Sequence, residues 1–119
     1  MKLNNLLNLI FVLAAVLMIT AAKPLHLERV SFKVFGNCTM CKERIENSLK
    51  KDGIVRAEWD VETKILSLTY NPHMIHLQNV VEWITESGHD TEMAKANNEV
   101  YSKLPKCCQY RKSEESEKK

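Results

Sequence analysis

Between Arg29 and Leu49 the apolar residues change their spacing from two to four. The switch falls where two thiols stand three residues apart, and it restricts the fold more than any other feature of the chain. Val30, Phe32 and Val34 alternate with Arg29, Ser31 and Lys33, the period of a strand with one buried face. From Cys41 the stripe continues through Ile45 to Ser48/Leu49, the spacing of a helix. A strand, a turn and a helix start therefore meet in Phe35-Gly36-Asn37-Cys38-Thr39-Met40-Cys41. This places Cys38 and Cys41 at a helix N-terminus, where unpaired amides and the helix dipole favour thiolate over thiol. Such a pair is either a chelate for a soft ion such as Cu(I) or a borderline one such as Zn(II), or a redox dithiol.

The first helix is expected to run to about Lys51 and to stop at Asp52-Gly53. Its charges, Lys42, Glu43, Arg44, Glu46, Lys50 and Lys51, read as a solvated face. Val55, Ala57, Trp59 and Val61 alternate with Arg56, Glu58 and Asp60, and after a turn at Glu62-Thr63-Lys64 the alternation resumes in Leu66, Leu68 and Tyr70. The two runs predict an antiparallel hairpin. A second helix follows from the stripe Leu77, Val80, Val81 and Ile84, with Gly88 as its stop. Trp83 lies off the stripe, half-exposed or at the edge of the core.

His89 to Ala96 is a weak strand candidate, with only Met93 and the alanines to offer as apolar content. Val100, Tyr101 and Leu104 suggest a short helix ending at Pro105, and Lys112 to Lys119 consists of Ser, Glu and Lys alone, a composition expected to stay disordered. The order strand, helix, strand, strand, helix, weak strand predicts an α+β fold of the ferredoxin-like βαββαβ type. In it, both helices cover one face of a four-stranded antiparallel sheet, and the first crossover is right-handed. The turn after the first strand and the turn after the second helix then share one end of the sheet, which brings His89 towards the two sulfurs.

Four segments follow: a signal peptide over 1–22, a linker over 23–28, a domain over 29–96 and a tail over 97–119. Met1-Lys2 is a positive start, Leu6 to Ile19 is apolar apart from Asn8, and Thr20-Ala21-Ala22 supplies small residues before Lys23-Pro24. These features predict export with cleavage after Ala22, to a periplasmic or extracellular site. An uncleaved anchor is the lesser alternative, because the apolar stretch falls short of the ~20 residues of a membrane span. The remaining chain carries 16 Lys and Arg against 15 Asp and Glu, Lys2 being the one charge removed. That balance gives no electrostatic case for nucleic acid or an acidic substrate. All four cysteines survive cleavage, in the tight pairs Cys38/Cys41 and Cys107/Cys108. Neither pair closes a loop long enough to stabilise a fold through chain entropy, so both read as sites.

The stretch from Arg29 to about Ala96 resembles the heavy-metal-associated domains of copper chaperones, metal-transporting ATPases and periplasmic mercury-binding proteins. Its carriers are Cys38-Thr39-Met40-Cys41, Arg44-Ile45-Glu46, Asp52-Gly53-Ile54-Val55, Tyr70-Asn71-Pro72 and Glu86-Ser87-Gly88-His89-Asp90. The resemblance implies one soft metal ion held by Cys38 and Cys41 and passed to a partner with a similar site. It makes His89 a candidate third ligand, since a histidine at that turn approaches the metal in some copper chaperones. This chain departs from the family at Gly36, where a methionine usually packs under the loop, and at Asn37, usually threonine.

The function these readings predict is an exported, non-enzymatic carrier or scavenger of Cu(I), held nearly linearly between Cys38 and Cys41 and exchanged with a donor or acceptor such as a metal-transporting membrane protein. Zn(II) or Hg(II) is the alternative cargo, and a metal-bridged dimer an alternative assembly. Zn(II) prefers four ligands, so it would need His89 and the tail cysteines or a second molecule. Cys107 and Cys108 are further candidate ligands, for a second soft ion, for recruiting metal to the main site, or for an intermolecular bridge. Met40, between the two cysteines, reads as an exposed contact for a partner rather than a thioether ligand. Two other classes compete: a thiol–disulfide oxidoreductase using the same pair, and an interaction module in which the cysteines are incidental.

Overall fold

The computed structural model describes residues 2–18 and 23–111. Lys2–Met18 form helix α1, and no described helix is long and apolar enough to cross a membrane. The expected cleavage point at Ala22 and the Ser/Glu/Lys-rich end both lie outside the described residues.

Among the described residues the sheet has three antiparallel strands, β1 (Glu28–Lys33), β2 (Ile54–Trp59) and β3 (Ile65–Tyr70), in the order β1-β3-β2. Phe32 faces Leu66, which faces Trp59, and Val30 faces Leu68, which faces Ala57. These cross-strand rows form one buried face, while Ser31, Lys33, Ser67 and Glu58 point to solvent. Helix α2 (Thr39–Ser48) adds Cys41 and Ile45 to this core, and α3 (Leu77–Glu86) adds Val80 and Ile84.

Helix α2 ends three residues before the expected Lys51, because Lys50-Lys51-Asp52 are already committed to the turn that launches β2. The Ile54 amide donates to the Lys51 carbonyl (3.1 Å), and Gly53 takes the left-handed φ of 94° there. Val55 also departs from the alternation, with 60% of its surface exposed. The register jumps between Ile54 and Arg56 opposite Tyr70 and Thr69, so Val55 is the extra residue of a β-bulge. Helix α3 closes as its sequence suggests. Gly88 (φ 100°) donates to the Thr85 carbonyl and His89 to that of Ile84, the two bonds of a Schellman motif. Trp83 is half-buried at the edge of the core, with the Lys51 ammonium 5.6 Å from its ring.

The expected fourth strand is not formed. The segment after α3 touches the outer edge of β1 through a single Val34/Thr91 bridge, with the Phe35 amide on the Asp90 carbonyl and the Glu92 amide on that of Lys33. It then curls away. The Thr91 hydroxyl accepts from the amides of Met93 and Ala94, and the Asp90 carboxylate accepts from the amide of Ala96. Side chains that capture backbone donors compete with a strand ladder, and so little apolar surface gives the ladder nothing to outweigh them.

Residues 97–111 fold back onto this core. Asn97 caps helix α4 (Asn98–Ser102) through its side-chain oxygen. Leu104 is buried against Gly88, where a Cβ atom would come within 2.8 Å of it, and Lys106–Cys108 form one 3₁₀ turn. The Arg111 guanidinium grips Asp90 in a two-pronged contact (2.7 and 2.9 Å), donates to the Ala96 carbonyl and lies over the Tyr101 ring. The Tyr110 hydroxyl donates to the Gly88 carbonyl and accepts from the Asp90 amide.

Burial works to raise the Asp90 carboxyl, but the Arg111 fork and the Ala96 amide outweigh it and hold it below its ordinary range. A depressed carboxylate contributes stability that is complete above its unfolded value near ~3.9 and is lost as pH falls through the folded one. Arg111→Ala leaves a half-satisfied carboxylate, so a loss of about 1–3 kcal/mol is expected. The acid limb of the stability profile should also flatten in that variant. Urea midpoints of both proteins between neutral pH and pH ~3 check this, and identical acid limbs would show that the fork contributes nothing.

Candidate metal centre

Residues 35–37 leave β1 and cross over Trp59, which is fully buried. The indole N–H donates to the Val34 carbonyl (2.9 Å), and a Cβ on Gly36 would stand 3.0 Å from both the indole ring and the Cys41 Cβ. The ring thus fills the space under the loop, and the residue above it must be small. From the other side, Lys42 donates to Glu46 (2.6 Å) and to the Trp59 carbonyl (2.7 Å), while Glu46 accepts from the Trp59 amide. Two of the charges expected to face solvent therefore tie the first turns of α2 to the end of β2.

Cys38 occupies the N-cap position of α2, with extended backbone and no side-chain cap bond. Cys41 lies one turn on, fully buried, and its sulfur accepts from the Asn37 amide (3.3 Å). The two sulfurs are 3.7 Å apart, and all four cysteines are free thiols. The backbone N–H of Cys41 is the strongest influence on Cys38. Burial opposes it as the next largest influence, but with the Cys41 side chain, the Met40 amide and Cys108 it pulls the Cys38 thiol below its usual value. The donors that activate it are the unpaired amides of a helix start.

The structure adds a third sulfur. Cys108 is fully buried, and its Sγ lies with those of Cys38 and Cys41 in a cluster whose atoms are all within 4.8 Å of one another. Burial first, then the neighbouring Cys41 and Cys107, push its thiol up to about 12. Cys107 is exposed, its sulfur 4.0 Å from that of Cys108 and 3.5 Å from the Met40 thioether. Its carbonyl oxygen lies 3.6 Å from the Cys38 sulfur.

His89 arrives at the same loop but not in the sulfur cluster. It is fully buried and stacked on Tyr110, with Nδ1 2.8 Å from the Phe35 carbonyl oxygen. That oxygen can only accept, so Nδ1 carries the proton and Nε2 the lone pair. Nε2 is buried without a partner among the described residues, as is Nε of Arg44. Burial keeps the ring below the usual histidine value, hence neutral. Sequence patterning supplied Cys38, Cys41 and the approach of His89 to the loop. It also offered Cys107 and Cys108 as candidate ligands but could not say which of them reaches the loop, because the contacts that seat the tail are single side chains scattered over 88–111.

An α+β unit with a three-stranded antiparallel sheet, carrying a dithiol where β1 passes into α2, shares its fold with solved metal-binding domains. Among the solved structures it resembles are a metallochaperone, MerP and copper-binding domains of P-type ATPases. The N-terminal domain of a potential copper-translocating P-type ATPase from Bacillus subtilis, in its Cu(I)-loaded state, is 25% identical. Its alignment covers 56% of this chain and 85% of that one, with a TM-score of 0.53. The CopZ metallochaperone is 24% identical over 54% of this chain and 98% of its own, with a TM-score of 0.52. Oxidized MerP from Ralstonia metallidurans CH34 is 17% identical over 56% and 96%, with a TM-score of 0.53. The last two likenesses are of fold alone. No protein-family model matches the chain, and no curated protein matches it significantly.

Proposed function

We propose that this chain is an exported, non-enzymatic binder of one soft metal ion, a Cu(I) carrier or scavenger that takes its ion on Cys38 and Cys41 and passes it on by ligand exchange. The observation that carries the reading is the pair of reduced sulfurs 3.7 Å apart, one half-exposed and activated, the other buried and fixed. Sulfur donors suit Cu(I) by softness. The unequal exposure suits transfer, because a partner's thiolate can reach the ion from the Cys38 side while Cys41 still holds it. The Cu(I)-loaded ATPase domain among the similar structures supports a metal-transporting protein as the partner. The apolar N-terminal helix α1 agrees with an export signal.

The test is a titration of the reduced full chain with Cu(I) under anaerobic conditions against a competing chelator. One ion per chain is expected, bound tightly enough to compete. Sustained turnover in an insulin-reduction assay, with weak or ill-defined Cu(I) uptake, would replace this reading with a redox one.

A further inference from the structure

The tail beyond Ala96 lies outside the region that resembles metal-binding domains, yet it delivers a thiol to the metal loop. We propose that Cys108 is a third ligand and that residues 97–111 form a lid carrying it. The cargo would then be held by three sulfurs when the lid is seated and by two when it lifts. The inference rests on Cys38 and Cys41 binding the ion, as proposed above.

Distances favour it. With metal–sulfur bonds of about 2.3 Å, sulfurs on opposite sides of a linear ion stand ~4.6 Å apart, whereas those of a trigonal site stand ~4.0 Å apart. Cys38 and Cys41 are separated by 3.7 Å and the whole trio fits within 4.8 Å, so a trigonal ion needs only small shifts. A buried cysteine is ordinarily a small apolar filler. Cys108 belongs to the apolar core, yet its sulfur also meets those of Cys38 and Cys41, and its backbone is pinned by the bond from its own amide to the Pro105 carbonyl (2.8 Å). Leu104 against Gly88, Tyr110 on Gly88 and Asp90, and Arg111 on Asp90 hold the lid down. All of these contacts are non-covalent and peripheral to the sulfurs. On binding, each thiol that becomes a ligand gives its proton to solvent as its Cu–S bond forms, and no electron changes hands.

X-ray absorption at the copper edge of the reduced full chain, loaded with one equivalent of Cu(I), should count three sulfur neighbours, falling to two in Cys108→Ser. Cu(I) affinity in that variant, measured against bathocuproine disulfonate, should drop about tenfold or more, or roughly 1.4 kcal/mol. Arg111→Ala, which loosens the lid, should speed removal of Cu(I) by the same chelator. Two sulfurs in the wild-type protein, or an unchanged count in Cys108→Ser, would overturn the third ligand and leave the two-cysteine site standing. Should Cys108→Ser fail to fold, Cys108→Ala takes its place, and Cys107→Ser shows which tail sulfur is bound: a count that falls to two there would overturn the assignment to Cys108. A wild-type chain that takes up no Cu(I) would end both proposals together.

Discussion

Cys38→Ser/Cys41→Ser is expected to lose stoichiometric Cu(I) binding altogether. A serine hydroxyl is a hard donor that stays protonated at neutral pH, so it supplies neither the charge nor the polarisable pair that holds a soft cation. What remains is Cys108, buried, with its thiol pushed up to about 12, and Cys107 at the surface. Neither replaces the activated sulfur at the helix start. The fold itself should survive. In Cys41→Ser the new hydroxyl oxygen inherits the Asn37 amide that now donates to sulfur at 3.3 Å, so the change at that buried position stays within about 1–3 kcal/mol. Competition titration of the folded variant, with circular dichroism to verify folding, is the measurement. One-to-one uptake surviving the double change would mean that the site lies elsewhere.

Trp59→Ala is expected to be the most damaging single change to stability, at about 3–5 kcal/mol. The ring is fully buried, its N–H satisfies the Val34 carbonyl, and it forms the floor beneath Gly36. Its removal opens a cavity and orphans a buried acceptor at the base of the metal loop. The close approach at position 36 makes a sharper forecast possible. Gly36→Met alone should be destabilising, because even its Cβ stands 3.0 Å from the ring and from the Cys41 Cβ. In the Trp59→Ala background the added side chain has a void to fill and should recover part of the loss. Urea unfolding of the four proteins completes a double-mutant cycle. Strict additivity would show that Trp59 does not occupy the space a side chain at position 36 would take.

The same pair of positions marks the reach of sequence patterning in this chain. Gly36 departs from the resemblance, and nothing in the pattern around Trp59 hints that the two lie in contact. They are 23 residues apart in the sequence, and the alternation that placed Trp59 on the buried face cannot say which loop lies above it. Val55 obeyed the alternation and still turned outward, because a bulge is a property of two paired strands rather than of either one. The segment after Gly88 contained just enough strand character to suggest a fourth strand. Local capture of backbone amides by Asp90 and Thr91, with Arg111 holding Asp90 from the far end of the chain, prevented it.

Periodicity alone determined the strand–turn–helix junction, the hairpin, the second helix and hence the placing of Cys38 and Cys41 at a helix start. Each is set by contacts within a few residues or by a single buried face. Tertiary structure decided that the sheet has three strands among the described residues, that Lys42 and Glu46 brace the loop, and that Cys108 joins the two sulfurs. Those outcomes depend on groups brought together from up to 70 positions away, such as Cys38 and Cys108, and closure over such distances leaves no local period for a sequence to display.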